Sequence, residues 1–202
     1  MDSFLPDEDG SQDGDDPNIK EIKSGRLFAS VSASRTSQIV RWNPVNSADG
    51  YYIYGSRSNA KFKLLRKVGK KTCSWKHKRL KKGTHYKYYI AAYKIIGGKR
   101  VIVYKSLSIY SVTKGGKYSN PVKVRVKKSS VSMKTKKTFR LKAKVIGKKM
   151  IKASRGVRYI SASPSIARVS KKGVITGVKR GSCYIYCIAR NGLTKRVRVK
   201  VK

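Results

Sequence analysis

Strict two-residue alternation is the feature that most narrows the fold. In FRLKAKV, Phe139, Leu141, Ala143 and Val145 fall on one parity, while Arg140, Lys142 and Lys144 fall on the other. In KRVRVKV, Val197, Val199 and Val201 oppose Arg196, Arg198 and Lys200 in the same way. Side chains alternate across a strand but recur every three to four residues on a helix, so these segments read as strands with one buried and one solvated face. The same period begins at Leu27 and runs to the end of the chain, and no stretch carries the spacing of an amphipathic helix.

LFASVSA, TSQIVRW, GYYIYGS, FKLLRKV, TCSWKHK, HYKYYIAAYK and VYKSLSIYSV read as strands, separated by NPVNSADG, RSNA, GKK, LKKGT and IIGGK, which carry turn chemistry. Short strands at this spacing predict an antiparallel sandwich. After KGGKYSNP the pattern restarts with VKVRVK, FRLKAKVI, RYISAS, IARVS, VITGV, CYIYCIA and KRVRVKV. The chain is therefore expected to be all-β, with two tandem antiparallel β-sandwiches at residues 25–114 and 121–202 and a linker at 115–120. Residues 1–24, rich in Asp, Gly, Ser and Pro, are expected to be a disordered acidic tail or linker.

Charge separates along the chain. It holds 50 Lys and Arg against 9 Asp and Glu. Asp2, Asp7, Glu8, Asp9, Asp13, Asp15, Asp16 and Glu21 lie in the first segment, which leaves Asp49 as the one carboxylate side chain from Ile22 onward. Salt bridges cannot hold such a body together. Apolar burial and sheet hydrogen bonds must do so against self-repulsion, which salt or a bound polyanion relieves. The acidic segment can itself compete with a polyanion for the basic body. Outward lysines on a strand present point charges about 6–7 Å apart, a spacing suited to a flexible polyphosphate. Lysines also outnumber arginines about two to one, which favours diffuse electrostatics over bidentate recognition. The candidate polyanion-binding residues are Arg140, Lys142, Lys144, Lys179, Arg180, Arg196, Arg198 and Lys200. The plainer reading of the same charge is a solvated surface that confers solubility.

Several chemistries lack their residues. Glycoside hydrolysis needs two positioned carboxyls and a hard-metal site needs several oxygen ligands, yet the body offers Asp49 alone. His77 and His85 are the only histidines and read as ordinary surface or edge residues. Cys183 and Cys187 sit four apart in a strand, about 13 Å from one another and beyond disulfide reach. With Cys73 they read as small core residues. No glycine-rich phosphate loop or nucleic-acid motif is present, so a nucleic-acid partner rests on charge alone. No cofactor or catalytic residue is expected. No apolar run has the length of a membrane span. MDSFLPDEDGSQDGDDP is the reverse of a signal peptide, so the chain is expected either to stay inside or to be a piece of a longer precursor. A Lys–Asn isopeptide bond would need a buried acid, for which Asp49 is the sole candidate. Neither an Arg-Gly-Asp triplet nor a sortase signal is present.

Two stretches resemble known families. Around residues 25–114, Trp42 with Pro44, then Gly50 to Tyr54 (GYYIY), then LKKGTHYKYYIAAY, resemble a fibronectin type III domain. The resemblance implies that Leu80, Gly83 and Tyr86 build a tyrosine corner. It also implies that Tyr86, Tyr88, Ile90 and Ala92 pack inward with Trp42, Tyr51 and Ile53. Around residues 121–202, SASPSIARVSKKGVITGVKRGSCYIYCIA is similar to a group 2 bacterial immunoglobulin-like domain, the type found in intimins and invasins. Two departures stand out: Lys136 or Lys137 takes the place of a turn glycine, and the segment between Val145 and Val157 is short. Together the resemblances imply a secreted or wall-associated Gram-positive surface protein, extracellular and non-enzymatic, acting as an adhesion or wall-association module. Its expected partner is teichoic acid, or a host glycan or protein. The alternative is a passive spacer, or a carbohydrate- or protein-binding module of a larger secreted enzyme or adhesin. In that case the outward parity of two neighbouring strands makes Tyr52, Tyr54, Tyr89 and Tyr93, with Lys87, the candidate ligand face.

Overall fold

The computed structural model describes residues 27–202, so the acidic segment and the disorder expected of it lie outside the described residues. Two compact units follow, the first ending at Lys117 and the second spanning Tyr118–Lys202.

In the first unit, β1 (Ala29–Ala33), β2 (Gln38–Trp42) and β5 (Ser74–His77) form one sheet in the order β1-β2-β5. The facing sheet holds β3 (Gly50–Arg57), β4 (Lys63–Gly69), β6 (His85–Ile96), β7 (Lys99–Lys105) and β8 (Ile109–Val112), in the order β4-β3-β6-β7 with β8 also on β6. The two sheets make the antiparallel sandwich expected of this stretch. Trp42, Tyr51, Ile53, Tyr86, Tyr88, Ile90 and Ala92 are buried in one cluster with Val31 and Val40. The tyrosine corner is formed, with the Lys81 N–H donating to the Tyr86 hydroxyl at 3.0 Å. Gly83, at φ 64°, leaves room for the loop that follows β8. A Cβ on Gly116 would lie 2.6 Å from the Gly83 Cα, so the two backbones pack directly.

VYKSLSIYSV, expected as one strand, is two. β7 pairs with the far half of β6 and β8 with its near half. The chain breaks pairing at Ser106, whose N–H reaches the Ile90 carbonyl at 2.8 Å and whose Oγ accepts the Ile90 N–H at 3.0 Å. β6 also runs on to Ile96, which reduces the expected IIGGK turn to Gly97 and Gly98, at φ 57° and 75°. These are the positive dihedrals of a tight hairpin turn.

In the second unit, β9 (Lys123–Val126), β10 (Ser130–Met133), β11 (Thr138–Arg140), β12 (Ala143–Ile146), β13 (Arg158–Ser161), β14 (Ala167–Val169), β15 (Val174–Gly177), β16 (Gly181–Ile188) and β17 (Thr194–Val201) form sheets ordered β10-β17-β16-β13, β11-β15-β14 and β12-β9. All pairings are antiparallel except β10 with β17, which is parallel. Val131, Met133, Ile175, Cys183, Ile185, Cys187, Val197, Val199 and Val201 fill the core. Burial pushes the Cys183 thiol up and the Cys187 thiol up to about 12.

β10 was not anticipated, because its alternation is carried by only Val131 and Met133. FRLKAKVI, read as one strand, divides after Arg140: β11 joins β15 and β12 joins β9. Parity survives the break, since Leu141 is buried while Arg140, Lys142 and Lys144 are exposed. A 3-10 turn at Lys152–Arg155 occupies the short segment after β12. Lys136 stands at φ 64°, the conformation for which glycine is the ordinary choice.

Candidate polyanion-binding faces

All eight basic candidates of the second unit are exposed, but they divide into three groups. Arg140 is on β11, Lys142 follows it, and Lys144 is on β12. Lys179 and Arg180 occupy the turn before β16. Arg196, Arg198 and Lys200 line the outward face of β17, in the other sheet. Alternation sets the last three in one file on a single strand, while Arg140 and Lys144 belong to strands with other partners and Lys142, Lys179 and Arg180 lie between strands.

Register fills in what surrounds those three. Lys200 lies between Ser132 on β10 and Ser182 on β16, Arg198 lies between Ser130 and Tyr184, and Arg196 lies beside Tyr186. Cys183, Ile185 and Cys187, on the opposite parity of β16, are buried. The outward face is thus a file of three cations flanked by hydroxyl-bearing residues. Tyr184 is exposed, and its ring carries the Arg196 guanidinium at 5.0 Å. The serines and tyrosines of this face were missed as site residues, although the alternation in GSCYIYC already placed Ser182, Tyr184 and Tyr186 opposite the core parity. No acidic residue occurs anywhere in the second unit's sequence, against 26 Lys and Arg.

In the first unit Tyr52, Tyr54, Tyr89 and Tyr93 do share the outward face of β3 and β6. They spend their ring faces on one another. Tyr54 and Tyr89 stack at 4.6 Å between centroids, Tyr52 and Tyr93 at 4.8 Å, and Phe62 meets Tyr89 edge-on at 4.8 Å. Basic groups lie over some of these rings. Lys67 lies over Tyr52 at 5.6 Å, Arg100 over Tyr93 at 5.7 Å, and Lys87 over Phe62 at 4.6 Å. Lys87, expected outward and available, is only 6% exposed. Its stem is absorbed by the neighbouring aromatics, as long cationic side chains commonly are. The half-buried row offers ring edges and hydroxyls rather than flat faces for a sugar ring.

The acid–base residues are placed structurally. Asp49 braces the β6–β7 hairpin: its N–H donates to the Tyr93 carbonyl at 2.8 Å and its carboxylate accepts the Ile95 N–H at 2.7 Å. His77, on the edge strand β5, stacks on Trp75 at 4.9 Å, and its Nδ1 lies 3.0 Å from the Tyr88 hydroxyl. Burial lowers the His77 pKa and raises that of Tyr88. Among the described residues, no three His, Cys, Asp or Glu side chains group as a metal site.

Residues 122–201 match the family model of the bacterial Ig-like domain, group 2, and the second unit is a domain of that type. Solved structures similar to the chain include the fn3 domain of human contactin 1, at 19% identity over 49% of this chain and 84% of that one, with a TM-score of 0.39. Another is the FN5 domain of Drosophila Lar, at 20% identity over 46% of this chain and 99% of that one, with a TM-score of 0.35. No curated protein matches the sequence.

Proposed function

We propose that this chain is a non-enzymatic, extracellular adhesion and wall-association module that holds an anionic surface polymer, teichoic acid, on the basic strand faces of its second unit. One observation carries the reading: the second unit sets 26 basic residues against no acidic one, and the outward positions Arg140, Lys144, Arg196, Arg198 and Lys200 are cationic where Thr or Ser would have satisfied the fold. A surface with no internal counter-charge lowers its own self-repulsion by binding a polyanion, and counterion release adds affinity. The matched family supports an extracellular setting, and tandem β-sandwich modules suit a role in display and attachment.

The test is co-sedimentation with purified Gram-positive cell walls, before and after teichoic acid extraction, across a salt series. Binding that falls steeply with salt and disappears on extraction is expected. Failure to bind either preparation would reduce the charge to a solubility device.

A further inference from the structure

Within that reading, which this inference deepens, we infer that the outward face of β10-β17-β16 is a built site for a linear phosphodiester polymer of a three-carbon polyol, lying along β17. The face is ordered. Arg196, Arg198 and Lys200 stand at every second residue of one strand, each exposed. Ser130, Ser132 and Ser182 flank them on the neighbouring strands in the registers given above, with Tyr184 and Tyr186 beside Arg198 and Arg196. Cations are about 6.7 Å apart along the strand, and hydroxyl-bearing neighbours are about 4.8 Å to either side. The inward residues of all three strands are core, so the site rests on a packed sheet.

The spacing selects the ligand. Two residues of an extended polypeptide span six backbone bonds. A polyol phosphodiester with three carbons between phosphates also repeats every six bonds, P–O–C–C–C–O–P. Successive phosphates can therefore meet Arg196, Arg198 and Lys200 without either chain being compressed. The polyol's own hydroxyls then face the flanking serines and tyrosines, which can donate and accept. Of the flexible phosphate polymers that the strand spacing admits, inorganic polyphosphate, with no carbon spacer, places its charges too densely to stay in register with the file.

A single-stranded nucleic acid shares the six-bond repeat, but its bases seek aromatic faces on which to stack. Here the exposed ring, Tyr184, already carries the Arg196 guanidinium. The face accordingly suits a polymer without bases. The scattered candidates Arg140, Lys142, Lys144, Lys179 and Arg180 contribute to long-range attraction, not to seating.

The experiment uses the full chain and a synthetic glycerol phosphate oligomer, with a single-stranded oligonucleotide and inorganic polyphosphate of equal charge as comparators. Affinity is measured across a salt series, with amide chemical-shift mapping. The variant R196Q/R198Q/K200Q is set against K148Q/K171Q/K172Q, which removes the same charge from exposed loop positions. Losing three phosphate contacts should make the log–log salt slope shallower by about 2 for the β17 variant, with little change for the control. Ser132→Ala with Ser182→Ala should weaken binding several-fold at an unchanged slope, and circular dichroism confirms that each variant is folded. Equal losses in both charge variants would overturn the site while leaving the general charge reading intact. Tighter binding of the oligonucleotide or of polyphosphate would overturn the ligand class. Absence of binding by the unaltered chain to any polyanion would overturn both the site and the proposed function.

Discussion

The two units solve the same problem, a sandwich with too much positive charge, by different chemistry. The first carries nine of the chain's 13 tyrosines and both tryptophans. It buries some of these rings and stacks others on its outer face, where Lys67 and Arg100 lie over ring faces and Lys87 is buried against Phe62. Its loops are tied by specific polar contacts: Tyr86 to Lys81, Asp49 to Ile95, and the Thr113 hydroxyl to the Lys81 carbonyl at 2.6 Å. The second unit has an aliphatic and thiol core, and along β17 it sets its cations among serines and tyrosines. The first unit's outer rings are taken up by one another and by cations, whereas the second unit sets three cations in register along one exposed strand face, with Arg196 resting on Tyr184. That difference is why the proposed binding lies in the second unit.

The largest expected break in this comparison is Ile185→Ala in the second unit. Ile185 is fully buried, and truncation should cost about 2–5 kcal/mol, seen as faster amide exchange at Val197 and Val199. Tyr89→Ala, on the half-buried tyrosine row of the first unit, should cost only about 1 kcal/mol, because the row sits outside the core. Comparable losses would mean that the row is as structural as a core.

Gly116→Ala comes next. Its Cβ would press on the Gly83 backbone, not on a side chain that can swing away, so about 1–3 kcal/mol of the first unit's stability should go. Urea denaturation read by Trp42 and Trp75 measures it, since both tryptophans lie in that unit. Lys136→Gly should act in the opposite direction, stabilising the second unit by about 1 kcal/mol through relief of the left-handed backbone. A neutral or destabilising result would show that the Lys136 side chain earns its strained position.

The smallest effect is also the sharpest contrast. Burial lowers the His77 pKa, so the folded first unit disfavours the charged ring. Its contribution to stability is present above the unfolded value near 6.5 and is lost as pH falls from there through the lowered folded value. The second unit contains no Asp, Glu or His side chain, so its stability should stay flat between about pH 5 and 8, where no side chain of ordinary pKa remains to titrate. Tryptophan-detected melts of wild type and His77→Gln, against amide exchange at Val199, would show it. A matching pH dependence in both units would sink the assignment to His77.

Much of this was legible before any coordinates. Parity alone placed Arg198 outward, and the family resemblance placed Tyr88 and Ile90 inward and, through the spacing of Leu80, Gly83 and Tyr86, anticipated the corner hydrogen bond. Short elements were not legible. Ser130–Met133 carries too few apolar residues to announce a strand, and the break after Arg140 leaves parity untouched while changing the pairing partner. Lys87 misled because its outward parity was right and its burial comes from Phe62, a residue of another segment.

The sequence by itself determined the strand period, the face of each residue, the two modules and the segregation of acid from base, because these depend on a residue and its near neighbours. Only the tertiary structure decided which outward residues share a surface. Ser132, Lys200 and Ser182 form one row because a parallel and an antiparallel pairing meet on β17. The ring faces of the tyrosine row are closed because β3 and β6 pair in one particular register. Register between distant strands is set by burying every inward face at once, and that is a property of the assembled core rather than of any segment.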